Sequence, residues 1–405
     1  MTSRTTNELE YIPRTREPDA KWAAVFSLSL GVFGLVTAEF LPVSLLTPVS
    51  ADLSISPGIA GQSITVTALV AAVAGPAVVI GTRSVDRRLT LLGLTLLLII
   101  SSTLAAFANG LSMLLVSRVL LGIGLGGFWA MSGALALRLV PLDKLPRAMS
   151  IILTGVSLAT VCAAPVGAWI GATLGWRAAF AVAAILGVVA FFAQILTVPA
   201  LAPAGAPSLG TMFRLLQRPQ LRIGLLTTML VVAGQFAGFT YVRPFLEEVP
   251  KFGIEAISFA LLAYGVGGFF GNFFGGFLAE RNAAWAVTIV AILIAASASV
   301  LVIAGTSPVI ASVAIAFWGF AFGGLPVTVQ SFVTRVASDE AESAGALLLT
   351  TFQIAISSGA VLGGLLIDLH GATMVFVFVS VSTLLGASLM ASHRGVVPQA
   401  EASRG

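Results

Sequence analysis

Uninterrupted apolar runs of about twenty residues recur from Trp22 to Ala391, and this recurrence narrows the possible folds more than any other property of the chain. One such run, coiled as a helix, crosses roughly 30 Å of hydrocarbon at about 1.5 Å per residue. The pattern predicts twelve spans, at 22–46, 59–81, 89–108, 111–137, 148–172, 178–198, 221–242, 256–278, 284–304, 309–334, 343–367 and 372–391. Lipid offers backbone N–H and C=O groups no partner, so each run must be a helix or a strand of a closed barrel. Runs this long exclude barrel strands. The expected fold class is therefore all-α integral membrane.

Composition agrees, with 58% hydrophobic and only 9% charged residues, against roughly 25% charged in an ordinary soluble domain. No segment between spans exceeds roughly 25 residues, which leaves no room for a soluble catalytic or nucleotide-binding domain. A non-enzyme without cofactor is expected. There is no Walker A motif and only three lysines are present, which argues against ATP coupling within the chain.

The net charge of +4 is first a statement about topology. With an inner N-terminus, 17 Lys and Arg fall in inner segments, Arg222 at the inner edge of the seventh span counted with them; three (Arg177, Arg243 and Lys251) fall in outer loops, and one, Arg118, lies deep within a span. Both termini are thus expected in the cytoplasm, and the basic balance needs no nucleic-acid partner. The first 20 residues mix Arg4, Arg14 and Arg16 with Glu8, Glu10, Glu17 and Asp19, unlike a signal peptide, and read as a retained tail. Cys162 is the only cysteine, so no disulfide framework exists. His370 and His393, the only histidines, fall on opposite faces of the membrane, and no metal is expected.

The chain divides into a tail at 1–21, six spans over 22–198, a linker at 199–220, six spans over 221–391 and a tail at 392–405. The linker opens with Pro199, Ala204, Gly205 and Pro207, residues that break regular structure. The halves repeat one another. Asp86, Arg87 and Arg88 end the second span as Gly276, Glu280 and Arg281 end the eighth; Gly126 and Gly127 precede Arg138 as Gly323 and Gly324 precede Arg335; Ala164 to Gly167 match Ala360 to Gly363. All lie 194 to 197 residues apart, as a duplicated six-helix unit requires. An even repeat preserves orientation, which gives two parallel halves about an axis along the membrane normal, with a cavity at the midplane.

Arg118 with Gly122 and Gly126, and the turn Gly175, Trp176, Arg177 and Phe180, resemble motifs of the major facilitator superfamily, and within it the twelve-span drug:proton antiporters. Two positions depart from the family pattern: Gly81 and Asp86 are five apart rather than four, and Ala164 precedes Pro165 where Gly is usual. The stretches AEFLPVSLLTP (38–48), AGQSITVTALVA (60–71), GGFWAMS (126–132), FRLLQRP (213–219) and YVRP (241–244) are similar to bacterial purine ribonucleoside exporters of that superfamily. The resemblance implies alternating access by rocking halves, inosine and guanosine as cargo, entering protons as the driving ion, and the bacterial inner membrane. It also places Asp86, Arg87, Arg88, Glu280 and Arg281 at the gates. A monomer is the default.

Glu39 is the one acidic residue placed within a span. Burial and a neighbouring guanidinium push a carboxylate's proton affinity in opposite directions, so a movement that alters either makes the group a proton switch. Arg118 lies about seven residues inside its span, close to the depth counted for Glu39, so a proton-coupling pair is geometrically possible. The plainer reading is an arginine that ties helices together through carbonyls. Candidate substrate contacts are Gln62, Trp129, Gln235, Phe236, Tyr241, Asn272, Gln330 and Gln353, since amides pair with purine edges and aromatic faces stack on the base. Each equally serves as an interhelical tie or an interfacial anchor. Gly122, Gly124 and Gly127 spell a dinucleotide fingerprint, but within an apolar helix they serve close packing. Pro42, Pro48 and Pro165 are expected to bend helices. Rival readings are an exporter of sugars or drugs, and a receptor that binds without translocating.

Overall fold

The computed structural model describes residues 20–141, 144–203 and 213–392. The tails at 1–19 and 393–405, His393 and the middle of the linker lie outside these. The described residues form α1 (Trp22–Asp52), α2 (Pro57–Gly81), α3 (Arg87–Ala106), α4 (Leu111–Leu139), α5 (Leu145–Thr173) and α6 (Trp176–Thr197). After the linker come α7 (Pro219–Thr240), the short α8 (Val242–Glu248), α9 (Ile254–Arg281), α10 (Ala283–Ala304), α11 (Pro308–Val336), α12 (Ala341–His370) and α13 (Ala372–Ser392). Twelve of these are long and apolar enough to cross a membrane.

Helix starts follow from local chemistry. Pro57, Pro219 and Pro308 occupy first-turn positions that need no N–H donor. Ser56 caps α2 by accepting from Ile59 N at 3.1 Å, and Asp86 caps α3 by accepting from Arg88 N at 2.7 Å.

The first helix is longer than its sequence pattern predicts, 31 residues against an expected end at 46, because neither Pro42 nor Pro48 breaks it. A proline within a helix leaves the carbonyl four residues earlier without its donor. Here those carbonyls belong to Ala38 and Ser44, and each is taken up by an arginine: Arg118 Nη1 donates to Ala38 O at 3.1 Å, and Arg243 Nη1 donates to Ser44 O. Helices in lipid tolerate proline when neighbours satisfy the freed group in this way.

The duplication is visible in packing. A Cβ added at Gly122 would strike the carbonyl of Thr67, and one at Gly126 that of Ala71; at Gly319 and Gly323 it would strike Tyr264 and Gly268, each partner and each glycine 197 residues further on. The second and fourth spans thus meet backbone to backbone as the eighth and tenth do, through small residues that permit close approach. Four residues with positive φ repeat likewise: Ser54 (52°) and Lys251 (57°) follow the first and seventh spans, and Gly175 (87°) and Gly371 (82°) precede the sixth and twelfth.

Polar contacts between the halves gather at the end of the bundle remote from residues 20 and 392, called distal below. Asp368 at the end of α12 accepts from Ser56 Oγ at 2.6 Å and from Gly58 N at 3.0 Å, capping α2 from the other half. Thr47 Oγ donates to Glu247 Oε2 at 2.6 Å, and Glu247 Oε1 accepts from Arg243 Nε at 2.8 Å, the same arginine that holds Ser44 O. Gly265 of α9 packs on Val161 and Thr160 of α5, which closes the opposite side of the junction.

Candidate functional site

Glu39 and Arg118 come from α1 and α4, adjacent helices of the first half. Arg118 is fully buried. Its Nε donates to Ser117 Oγ at 3.2 Å, its Nη1 to Ala38 O, and its guanidinium lies 4.8 Å from the Phe180 ring centroid. Its Nη2 is buried without a hydrogen-bond partner among the described residues. Glu39, one residue beyond the carbonyl that holds Arg118, is half-buried and makes no hydrogen bond or ion pair with a described residue. The two groups share a level, as the sequence suggests, but the structure forms the carbonyl contact instead of the carboxylate pair. The reason is Pro42: it creates an acceptor at Ala38 that residue counting does not reveal.

Across the junction from α1 stands an aromatic cluster of the second half. Phe236 and Phe239 of α7 pack edge to face at 6.0 Å, Phe239 stacks on Tyr264 of α9 at 5.0 Å, and Tyr264 meets Trp318 of α11 at 5.2 Å and Phe322 at 6.4 Å. Phe40, next to Glu39 in sequence, reaches across to Phe236 at 6.4 Å and Phe239 at 5.7 Å. Gln235 sits inside this cluster, fully buried, its Oε1 accepting from Trp318 Nε1 at 2.7 Å and its Nε2 donating to Tyr264 Oη at 2.7 Å.

The other expected contacts scatter. Phe236 is buried in the cluster, whereas Gln235, read from sequence as a solute-facing amide, is occupied at both ends in this conformation. Tyr241 is likewise fully buried; its hydroxyl donates to Ala360 O at 2.9 Å and abuts Gly61 and Gly364, so it fills the junction between halves. Gln62 and Trp129 are half-buried, and Asn272 and Gln330 are exposed, the last donating to Thr334 Oγ at 3.3 Å. Gln353 is 5% exposed and its Oε1 lacks a hydrogen-bond partner among the described residues.

The residues assigned to the gates lie at the end near residues 20 and 392. Asp86 accepts from Leu201 N at 3.0 Å, Arg87 donates to Thr82 Oγ at 2.9 Å, and Arg88 donates to Ile195 O at 2.7 Å, which pins the start of the linker to the first half. In the second half Glu280 and Arg281 are exposed, Arg281 lying 4.5 Å from the Phe277 ring, while Arg335 bonds Ala279 O at 2.8 Å. Among the described residues no group of three His, Cys, Asp or Glu could hold a metal ion.

Sequence reasoning missed the distal contacts of Thr47, Ser56, Glu247 and Asp368, and the aromatic roles of Phe40, Phe239, Tyr264, Trp318 and Phe322. One signal was available. Arg243 and Glu247 stand four apart on the short helix α8, a spacing that pairs side chains.

The chain is 40% identical over 385 residues to the purine ribonucleoside efflux pump NepI of Escherichia coli (strain K12), covering 94% of this chain and 97% of that protein. The protein of that name from Shigella dysenteriae serotype 1 (strain Sd197) is also 40% identical over 385 residues, covering 94% and 98%. Among solved structures, a bacterial homologue of the human lysosomal transporter Spinster, described as inward-facing and unoccupied, aligns with a TM-score of 0.73 at 16% identity, covering 92% of this chain and 98% of that one. The human organic anion transporter MFSD10 (TETRAN) aligns with a TM-score of 0.67 at 14% identity, covering 92% and 100%. The Major Facilitator Superfamily profile matches residues 28–360. Twelve membrane-crossing helices in two repeated halves, and relatives along almost the whole length, identify a multi-pass secondary transporter: the chain belongs to the major facilitator superfamily.

Proposed function

We propose that this chain exports purine ribonucleosides such as inosine and guanosine against entering protons, by alternating access in a bacterial inner membrane, with the ends near residues 20 and 392 in the cytoplasm. The substrate reading is supported by 40% identity to NepI over 94% of the chain. The orientation is supported by the excess of Lys and Arg in inner segments. With that orientation the distal contacts are the outer gate, closed here.

Coupling rests on one observation: Glu39 makes no hydrogen bond or ion pair with a described residue, and it follows directly in α1 the carbonyl that holds Arg118, whose Nη2 also lacks a hydrogen-bond partner among the described residues. A charged Glu39 attracts that guanidinium and competes with the Ala38 carbonyl; a protonated one leaves Arg118 where it is. Because Ala38 O is the carbonyl freed by Pro42, the exchange acts on α1 where the helix lacks an internal bond. Phe40, the next residue, carries the movement to the aromatic cluster of the other half.

One proton entering is worth roughly 2.3 kcal/mol per 100 mV plus about 1.4 per pH unit. A membrane potential of about 100 mV alone sustains roughly a fiftyfold gradient of a neutral solute. Purified protein in vesicles carrying an imposed pH gradient should accumulate labelled inosine, and a protonophore should abolish the accumulation. Binding of inosine without gradient-driven flux would overturn the assignment in favour of a receptor.

A further inference from the structure

The buried polar relay inside the aromatic cluster has a fixed direction. An indole nitrogen only donates, so Trp318 requires the carbonyl oxygen of Gln235 to face it. That turns the Gln235 amide nitrogen, a donor, onto the Tyr264 hydroxyl. The hydroxyl therefore accepts on one side and keeps its own proton to give, yet Tyr264 makes no further hydrogen bond with a described residue. Tyr264 is 3% exposed. A buried donor without an acceptor is destabilising, so a phenol held in this orientation, where phenylalanine would fill the same space, calls for an explanation.

We infer that the Tyr264 hydroxyl is the donor that reads the base of the carried nucleoside, giving its proton to an acceptor on the O6 or N7 edge of a 6-oxopurine. The inference rests on the proposed nucleoside export and deepens it. Trp318 and Gln235 are then positioning residues that set the polarity of the phenol. The surroundings suit a flat base: Phe239, Tyr264 and Phe322 are near-parallel, at 24° and 23°. The half-buried rings, Phe322 in one half and Phe40 in the other, mark where a base can reach the cluster. Where O6 is the atom read, the exocyclic amine of adenosine, itself a donor, is opposed by such a site; where N7 is read, adenosine offers the same acceptor as inosine. A neighbouring Phe236 and Phe239 supply apolar faces without competing polar atoms.

The test is equilibrium binding to the purified full chain of four nucleosides: inosine, purine riboside (no O6), 7-deazainosine (no N7) and adenosine. The wild type should bind inosine at least about tenfold more tightly than whichever of the two analogues lacks the acceptor used. Tyr264→Phe should bind inosine and both analogues alike. Trp318→Phe should free Gln235 to turn its carbonyl to the phenol, which makes the Tyr264 hydroxyl donate to Gln235 and removes the preference for inosine over the analogue that lacks the acceptor used; where that acceptor is O6, adenosine also rises relative to inosine. Should Tyr264→Phe fail to fold, the Trp318→Phe comparison decides alone. Discrimination that survives in Tyr264→Phe, or a wild type that binds inosine and both analogues equally, overturns the assignment while leaving nucleoside export standing. A wild type that binds none of the four overturns the export reading, and this one with it.

Discussion

Arg118 donates to the carbonyl of Ala38 at 3.1 Å, and that carbonyl is free because Pro42 has no N–H to offer it. One proline thus explains both where the buried guanidinium goes and why Glu39, the next residue, is left alone. Arg243 on Ser44, opposite Pro48, repeats the device across the junction between halves. In α1 two gaps in the helix ladder became two tethers, one within a half and one between halves.

The first expectation concerns that tether. Arg118→Ala should destabilise the protein by about 1–3 kcal/mol, the cost of an unpaired buried acceptor. In a Pro42→Ala background the loss should shrink, since the restored N–H takes the carbonyl. Thermal unfolding in detergent of the four proteins forms a double-mutant cycle; a coupling of zero would show that the carbonyl contact contributes nothing.

Glu39→Gln should retain nucleoside binding and exchange but hold no gradient, its inside-to-outside ratio falling from roughly fiftyfold toward unity at about 100 mV. Counterflow and uphill flux measured in the same vesicles separate the two. Undiminished uphill flux in the variant would exclude Glu39 as the coupling group.

Asp368 caps a helix that belongs to the other half, so Asp368→Ala should weaken closure at the distal end by about 0.5–2 kcal/mol, the usual worth of a cap. This shifts the open population by roughly two- to thirtyfold. Spin labels at Ile59 and Leu365, both exposed on the facing helices α2 and α12, should report a larger fraction of long distances than in the wild type.

Gly323→Ala and Gly126→Ala place a methyl group on the backbone of the facing helix. Each should cost about 1–3 kcal/mol through overpacking, and the two losses should be similar because the sites are equivalent. Gly276→Ala, where nothing lies within 4 Å, serves as the control and should leave the thermal midpoint unchanged.

Outside the membrane, Arg218 and Asp339 form a solvent-exposed pair at 2.6 Å. The hydrogen bond from Arg218 lowers the Asp339 carboxyl from its ordinary 3.8 to about 2. The sign follows: any stability the pair provides is present above the ordinary value and is lost as pH falls toward about 2. Being exposed, the pair should matter little at neutral pH. Asp339→Asn should leave the thermal midpoint at pH 7 nearly unchanged, and a carboxyl titration followed by NMR should place Asp339 at about 2, below its ordinary 3.8.

The twelve spans and the two halves are legible in the sequence because lipid imposes both the length of each apolar run and its apolar character. Small-residue spacing is legible too: Gly126 and Gly323 announce the repeat without any structure. The end of α1 is not: the apolar run gives an end at 46, whereas the helix continues through Pro48 to Asp52, with Arg243 taking up the Ser44 carbonyl that the proline frees. Gln235 misleads for a related reason. A mid-span amide looks available until the donor-only indole of Trp318, 83 residues away, is found to claim it. The contacts of Asp368 with Ser56 and Gly58 join residues more than 300 positions apart, and no local pattern encodes them.

Ser54 and Lys251 hold left-handed backbone angles within a few degrees of each other, although one is a small hydroxyl residue and the other a long cation. Neither side chain favours that conformation, so the shared dihedral is an heirloom of the ancestral unit, kept while the letters written over it changed. Divergence between the copies has therefore been freer in alphabet than in curvature, and aligning the halves by torsion angle should recover equivalences that residue identity has lost.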